Sequence, residues 1–266
     1  MPKGKTEQDF IKEYDSSKYI TPDGYTADIA IFTIISEEQG PHKPTKKTLK
    51  LMLIKRAEKD AEGKPNMDGG KWALPGGFIN PDETAYEAAM RELEEETGVT
   101  GVKMKHFGVY DKPGRDPRGW IISNAHYAIV PEHLLHMRKA GDDAAEVNLF
   151  DMNEVKKLPL AFDHEQIIDD ALWFIKKDMA LTTLAKNFLP QEFVLSELQS
   201  VLLTVLDEEW IKRDAQFFRK GPTLPFLEKV VRNGELKKTN KWSKSSAQLY
   251  RFTDYEPFVS IYNAKY

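Results

Sequence analysis

Glu92, Glu95 and Glu96 stand three and four residues apart in the stretch GGFINPDETAYEAAMRELEEETGV, residues 76–99. On a helix that spacing brings three carboxylates together. Carboxylates so close must take up protons or find a cation. A hard divalent ion such as Mg²⁺ or Mn²⁺ suits them, because it prefers carboxylate oxygens, keeps several waters and recruits substrate phosphates. The same stretch holds four more acids (Asp82, Glu83, Glu87 and Glu94) and one base, Arg91. Like charges one turn apart destabilise a helix by roughly 0.2–0.5 kcal/mol per pair, so the crowding needs a reason.

The helix that must carry these acids has end signals. Asn80 is placed to cap it, Pro81 suits the first position, Glu83 falls where a capping-box glutamate would, and Gly98 stops it. Together they predict a helix over 81–97. With Ala85 as the origin, Ala88, Ala89 and Leu93 fall within roughly 80° and mark the packing face. Glu83, Glu87 and Glu94 point away from it, whereas Glu92 and Glu96 lie within about 20° of the origin and Glu95 at about −80°. A solvated acidic face accounts for the first set, with Glu87 free to pair with Arg91. It leaves Glu92, Glu95 and Glu96 unexplained, and a metal site explains them.

Gly77, five residues, Glu83, seven residues, then Arg91-Glu92-Leu93-x-Glu95-Glu96-x-Gly98-Val99 resembles the Nudix box at every defined position. The resemblance implies a mixed sheet sandwiched by helices and metal-dependent hydrolysis of a nucleoside diphosphate linked to another moiety. It also implies Glu92, Glu95, Glu96 and the Gly77 carbonyl as metal ligands, with Arg91 and Glu83 orienting them. Bound metals would then polarise the pyrophosphate and activate a water, with no protein nucleophile.

GRDPRGW (114–120) puts Arg115 and Arg118 on a turn between expected strands. Two guanidiniums there can clamp phosphates, or the loop can be closed by a salt bridge through Asp116. An RDPRG loop after the box resembles the ADP-ribose-type branch of the family. Trp120 either stacks on a base or belongs to the core. That branch also implies a general base on the acidic loop GDDAAEV (141–147), either Glu146 or Asp143, against the plainer reading of a solvated loop. LAFDH (160–164) is similar to the same branch, with His164 at a helix start either touching ligand or structural. His133 and His136 lack a third ligand nearby and read as surface.

YTADIAIFTII, TLKLMLIKR, KWALPGG, VKMKHFGVYD, WIISNAHYAIV and EVNLFDM read as strands, and LPLAFDHEQIIDDALWFIKKDMA as a long helix. These form an α+β domain over residues 1–180. From 181 the pattern changes. TLAKNFLP, EFVLSELQSVLLTVL and LPFLEKVVRNG read as helices, and ELKKT and AQLYRFTD as a hairpin around NKWSKSS. Residues 181–266 thus suggest a small winged helix-turn-helix domain.

At 266 residues, with 41% hydrophobic and 30% charged, the chain suits a globular protein. It has no apolar run long enough to span a membrane and an N-terminus unlike a targeting peptide. Cysteine is absent, which excludes disulfides and thiol chemistry and fits a cytoplasmic location. Net charge is −4, yet residues 211–252 carry eleven Lys or Arg against three acids, a local +8 that leaves −12 elsewhere. Lys212, Arg213, Arg219 and Lys220 lie near an expected recognition helix, and Lys237, Lys238, Lys241, Lys244 and Arg251 on the hairpin. Such a set fits DNA phosphates, or it solubilises an association domain. The tail resembles the C-terminal half of the Nudix-related transcriptional regulators of NAD metabolism, although Pro222 and Pro225 interrupt the segment after the recognition helix. Two functions follow: a Mg²⁺-dependent hydrolase of ADP-ribose or a related nucleotide, and an ADP-ribose-sensing DNA-binding regulator. The resemblance implies a homodimer for either.

Overall fold

The computed structural model describes residues 5–40, 45–60, 62–137, 144–241 and 245–255. A short helix, α1 (Glu7–Glu13), buries none of its residues. It precedes β1 (Gly24–Glu37), which is buried without a break from Thr26 to Ile34. A strand of that kind is covered on both faces, as its near-continuous apolar sequence requires. β1 pairs antiparallel with β2 (Lys46–Arg56), and β2 with the short β3 (Trp72–Ala73). The chain then returns to β1 as β4 (Gly76–Phe78) and enters α2 (Ala85–Thr97). β5 (Met104–Tyr110) pairs antiparallel with β6 (Ile121–Ile129), which runs parallel to β1. β7 (Ala144–Asp151) adds to β2 and leads through α3 (Met152–Val155) into α4 (His164–Leu181).

The result is a mixed seven-stranded sheet between two helices. Ala27, Ile29, Ile31 and Met52 pack against Ala88, Ala89 and Leu93 of α2. On the other face, Ala30, Phe32, Leu51 and Leu53 belong to the cluster that holds Ile167, Ile168, Ala171 and Ile175 of α4. The expected packing face of the acidic helix is the observed one.

Its start is different. α2 begins at Ala85, with Thr84 as cap: Thr84 Oγ1 accepts from the Glu87 N–H at 3.2 Å, and the Glu87 carboxylate accepts from the Thr84 N–H at 2.8 Å. Pro81 and Asp82 form a turn instead, in which the Asn80 N–H donates to Glu83 at 2.8 Å. Both segments carry a Glu three residues after a capping side chain, and the second one wins because it frees Glu83 for Arg91. Gly98 ends the helix at φ 71°, as expected.

Beyond α4, a 3₁₀ turn over Leu184–Phe188 stands where TLAKNFLP was expected to be helical. β8 (Phe193–Val194), α5 (Leu195–Leu202), α6 (Glu209–Lys212) and α7 (Asp214–Lys220) follow. LPFLEKVVRNG is not a helix. It forms β9 (Leu227–Lys229) and β10 (Val231–Arg232), the latter turning through Asn233 and Gly234 into β11 (Glu235–Leu236). Both turn residues have positive φ, 53° and 81°, the conformation that an Asn-Gly hairpin turn requires. β12 (Lys238–Thr239) and β13 (Ala247–Phe252) make the expected hairpin, and β13 also pairs with β8 and β9. Phe193, Leu198, Phe217, Phe226 and Tyr250 join the same apolar cluster as Ile175 and Met179 of α4. No helix among the described residues is long and apolar enough to cross a membrane.

Removing the observed cap should cost more than removing the expected one. Thr84→Ala is expected to lower the unfolding free energy by about 1 kcal/mol in urea denaturation. Asn80→Ala, on an exposed turn, should change it by about 0.5 kcal/mol or less.

Candidate active site

A cleft of about 610 Å³ opens where β4, α2 and the start of α4 meet the ends of β1 and β2. Its volume is in the range of small-ligand pockets. One wall is acidic. Arg91 donates to Glu83 at 2.6 and 3.1 Å, and its other terminal nitrogen bridges Glu92 (2.7 Å) and Glu95 (3.0 Å). A further bond at 3.1 Å ties it to the Phe78 carbonyl, so one guanidinium holds α2 against β4. Glu83, expected to be solvated, is therefore only 15% exposed at its side chain, and Arg91 pairs with it rather than with Glu87. The Arg91 bonds, followed by the Asn80 N–H, pull the Glu83 pKa from 4.5 down to about 2. Burial does the opposite to Glu92 and raises its pKa. Glu96 accepts from the Gly76 N–H at 2.7 Å. Glu87 and Glu94 are exposed, as the angular placement required.

The opposite wall is cationic and aromatic. Arg118 is chelated by Asp116 (2.7 to 3.2 Å) and lies over the rings of Phe78 and Phe162, at 5.4 and 5.1 Å. Arg56, at the end of β2, lies over Phe162 at 5.0 Å. It donates only to the Met67 carbonyl (3.0 Å) and Asn66 Oδ1 (3.2 Å), and makes no ion pair among the described residues. Burial first and the Arg118 charge second depress its pKa. Phe162 is held at φ 50°, uncommon for a bulky residue, while its N–H donates to Asp68 at 2.9 Å.

Both readings of the RDPRG loop contain part of the truth. Arg115 and Arg118 line the cleft, yet each is already neutralised: Arg118 by Asp116, and Arg115 by Asp163 at 2.7 and 2.8 Å. His164 begins α4 and lines the cleft, buried. Trp120 is 43% exposed rather than part of the core. Glu146 lies on β7 rather than on a loop, outside the cleft lining, and contacts Lys55 (3.4 Å) and Asn148 (3.1 Å). Asp143 and Lys244 lie outside the described residues. His133 and His136 sit in an exposed 3₁₀ turn, where His136 Nδ1 is 2.6 Å from the His133 carbonyl. Sequence reasoning missed Arg56 and Phe162. Arg56 ends an apolar strand, but nothing in its spacing links it to the box.

Among the described residues no three acidic or imidazole groups converge as a finished metal cluster, because Arg91 spans Glu92 and Glu95. The donor set nonetheless fits a hard divalent cation. It is all oxygen, Glu92 is buried without enough compensation, and backbone approaches it closely. A Cβ on Gly77 would stand 2.2 Å from Glu92 Oε1, so a side chain at this position would push the Glu92 carboxylate aside.

Two outcomes follow from this geometry. Glu83 stabilises the fold fully above its unfolded pKa of 4.5, and that contribution is lost as pH falls toward about 2. Arg91→Gln should therefore flatten the acid limb of the stability curve and move the Glu83 carboxyl titration, followed by carbon-13 NMR, up from about 2 toward 4.5. Gly77→Ala should displace Glu92 and weaken Mn²⁺ binding by roughly tenfold or more, measured by titration calorimetry on folded protein.

Residues 28–171 match the NUDIX domain family. Over 121 residues the chain is 46% identical to the ADP-ribose pyrophosphatase of Methanocaldococcus jannaschii, covering 46% of this chain and 64% of that protein. Over 258 residues it is 27% identical to the ADPR responsive transcriptional repressor NtrR of Acinetobacter baylyi, covering 94% of this chain and 91% of the repressor. The structure of Shewanella oneidensis NrtR complexed with a 27mer DNA covers 89% of this chain and 98% of its own, at a TM-score of 0.61 and 23% identity, a likeness of fold. A match over more than half the chain, spanning most of the sheet, the acidic helix and the first turns of α4, places this protein in the NUDIX family.

Proposed function

We propose that the protein is a Mg²⁺- or Mn²⁺-dependent hydrolase that cleaves the pyrophosphate of ADP-ribose or a related nucleoside diphosphate derivative. The observation that carries this reading is the pairing of an acidic wall with Arg56, whose guanidinium hydrogen-bonds to neutral oxygens rather than to a carboxylate, across one ligand-sized cleft. The likeness to the pyrophosphatase supports it. Glu92, Glu95, Glu96 and the Gly77 carbonyl would hold the cation, with Arg91 moving off Glu92 and Glu95 while Glu83 keeps it anchored. When bound, the ion neutralises phosphate charge and acidifies a water enough to attack phosphorus at neutral pH. Arg56 receives pyrophosphate oxygens, and the Phe162 and Arg118 stack shapes the wall behind them. Water adds to phosphorus, the bridging P–O bond breaks, and ADP-ribose yields AMP and ribose phosphate. Glu146 can serve as base only if ligand binding brings its strand end toward the cleft.

A second reading shares the site. The near full-length likeness to an ADPR responsive repressor and the basic tail favour a regulator whose residues 181–266 form a winged-helix domain on DNA. Lys212, Arg213, Lys237 and Arg251 are engaged by Asp207, Glu209, Glu192 and Glu228, whereas Arg219 and Lys238 are exposed and make no ion pair among the described residues. In this reading ADP-ribose in the cleft releases the DNA. We place the protein in the cytoplasm as a homodimer, for which Phe10 and Ile11 on α1 and Tyr14 just after it, at 60–66% exposure, offer an apolar face.

Incubation with ADP-ribose and Mg²⁺ should produce AMP, and Glu95→Gln or Glu96→Gln should abolish it; persistent turnover would remove the metal assignment. Arg56→Ala should raise KM roughly tenfold or more. For the second reading, affinity for DNA from the gene's own upstream region should fall steeply with salt and with added ADP-ribose. A salt-independent affinity sinks it.

A further inference from the structure

The cleft is lined by two buried residues, each with one polar atom whose hydrogen-bonding capacity the described residues leave unused. Asp28, on β1, is 7% exposed. Its Oδ2 accepts from Ser123 Oγ at 2.5 Å and lies 3.6 Å from Arg115. Its Oδ1 lies 3.8 Å from His164 Nε2, beyond hydrogen-bond reach, and accepts no bond from the described residues. His164 is 4% exposed. Its Nδ1 accepts from the Leu74 N–H at 2.9 Å, which places the proton of the neutral ring on Nε2. Burial favours that neutral ring, since it depresses the His164 pKa. An acceptor and a donor therefore sit side by side on residues that both line the cleft. Their place in the cleft lining leaves both open to a ligand that brings the complementary donor and acceptor.

The pair selects its ligand by chemistry. A phosphate is repelled by the Asp28 carboxylate, and an ammonium by the Nε2–H and by Arg115 behind it. A hydroxyl satisfies both at one oxygen, because it donates and accepts at once. An oxygen at about 2.8 Å from each of two atoms 3.8 Å apart is sterically ordinary. The subsite also adjoins the acidic wall: a Cβ on Gly76 would stand 2.9 Å from Asp28 Oδ1, so the backbone leading to Gly77 passes beside the same oxygen.

We propose that Asp28 Oδ1 and His164 Nε2 jointly bind one sugar hydroxyl of the nucleoside diphosphate ligand, which donates to the carboxylate and accepts from the imidazole. The proposal rests on the cleft's binding ADP-ribose and adds a determinant for the sugar, independent of turnover. Asp28→Asn keeps an oxygen for Ser123 but puts an amide in the pair; the position of the amide oxygen is set by Ser123, which leaves the NH₂ facing the ligand.

The test is a set of dissociation constants by calorimetry in EDTA, so that no turnover consumes the ligand. ADP-ribose is compared with analogues that each lack one ribose hydroxyl, on the wild type and on Asp28→Asn. In the wild type one analogue should bind about 10- to 100-fold more weakly than ADP-ribose. In Asp28→Asn that penalty should collapse to about threefold or less, a coupling between one residue and one hydroxyl that a purely structural role does not produce. His164→Asn, compared in the same way, covers the case of an Asp28 variant that does not fold. Equal penalties in wild type and variant overturn the subsite alone. Absence of ADP-ribose binding to the wild type, both in EDTA and with Mg²⁺ added, overturns the functional reading and the subsite with it.

Discussion

Three carboxylates cannot share one turn of a half-buried helix without a positive charge among them, and Arg91 is that charge. Burial alone would push Glu92 toward protonation, and the guanidinium that bridges it to Glu95 opposes this. Through Glu83 and the Phe78 carbonyl, the same side chain fixes the angle between α2 and β4. The turn before α2, the late cap at Thr84 and the glycine against Glu92 all follow from that clamp. On the proposed reading, an incoming cation would find carboxylates already held apart and oriented, and would compete with one guanidinium nitrogen.

The cleft has opposite walls because two distant pieces of sequence converge on β1. The box supplies acids and glycines from residues 76–99. The ends of β2 and α4 supply Arg56, Phe162 and His164, and each of these is set by a hydrogen bond: to the Met67 carbonyl, to Asp68, and from the Leu74 N–H. Three of the arginines at the cleft hydrogen-bond to internal carboxylates, whereas the Arg56 guanidinium hydrogen-bonds to neutral oxygens.

How much of this was legible in the sequence depended on range. The sheet, the packing face of α2 and the stop at Gly98 follow from periodicity and local signals, and they were read correctly. The cap was misplaced because Asn80–Glu83 and Thr84–Glu87 satisfy the same local rule, and only the tertiary contact of Glu83 with Arg91 decides between them. LPFLEKVVRNG was read as helix from its apolar spacing, although Asn233-Gly234 carried a hairpin signal. Arg56, Asp28 and Phe162 were invisible because the contacts that bring them to the cleft, Arg56 with Phe162, Asp28 with Ser123 and Phe162 with Asp68, join segments more than fifty residues apart, which no spacing within one segment encodes. Arg115 and Arg118 line the cleft, and which carboxylates claim them could be read only in three dimensions.

The apolar cluster that passes from α4 into the C-terminal part has a consequence for how the two parts can be separated. Ile175 and Met179 are fully buried in a cluster that also contains Phe193 and Leu198. A truncation after α4 strips partners from one end of the helix whose other end carries His164. The shortened chain would expose a greasy crescent and gain a tendency to self-associate. Anyone dissecting the two halves should therefore replace those contacts with polar side chains, or the isolated N-terminal part will report on its own stickiness before it reports on its cleft.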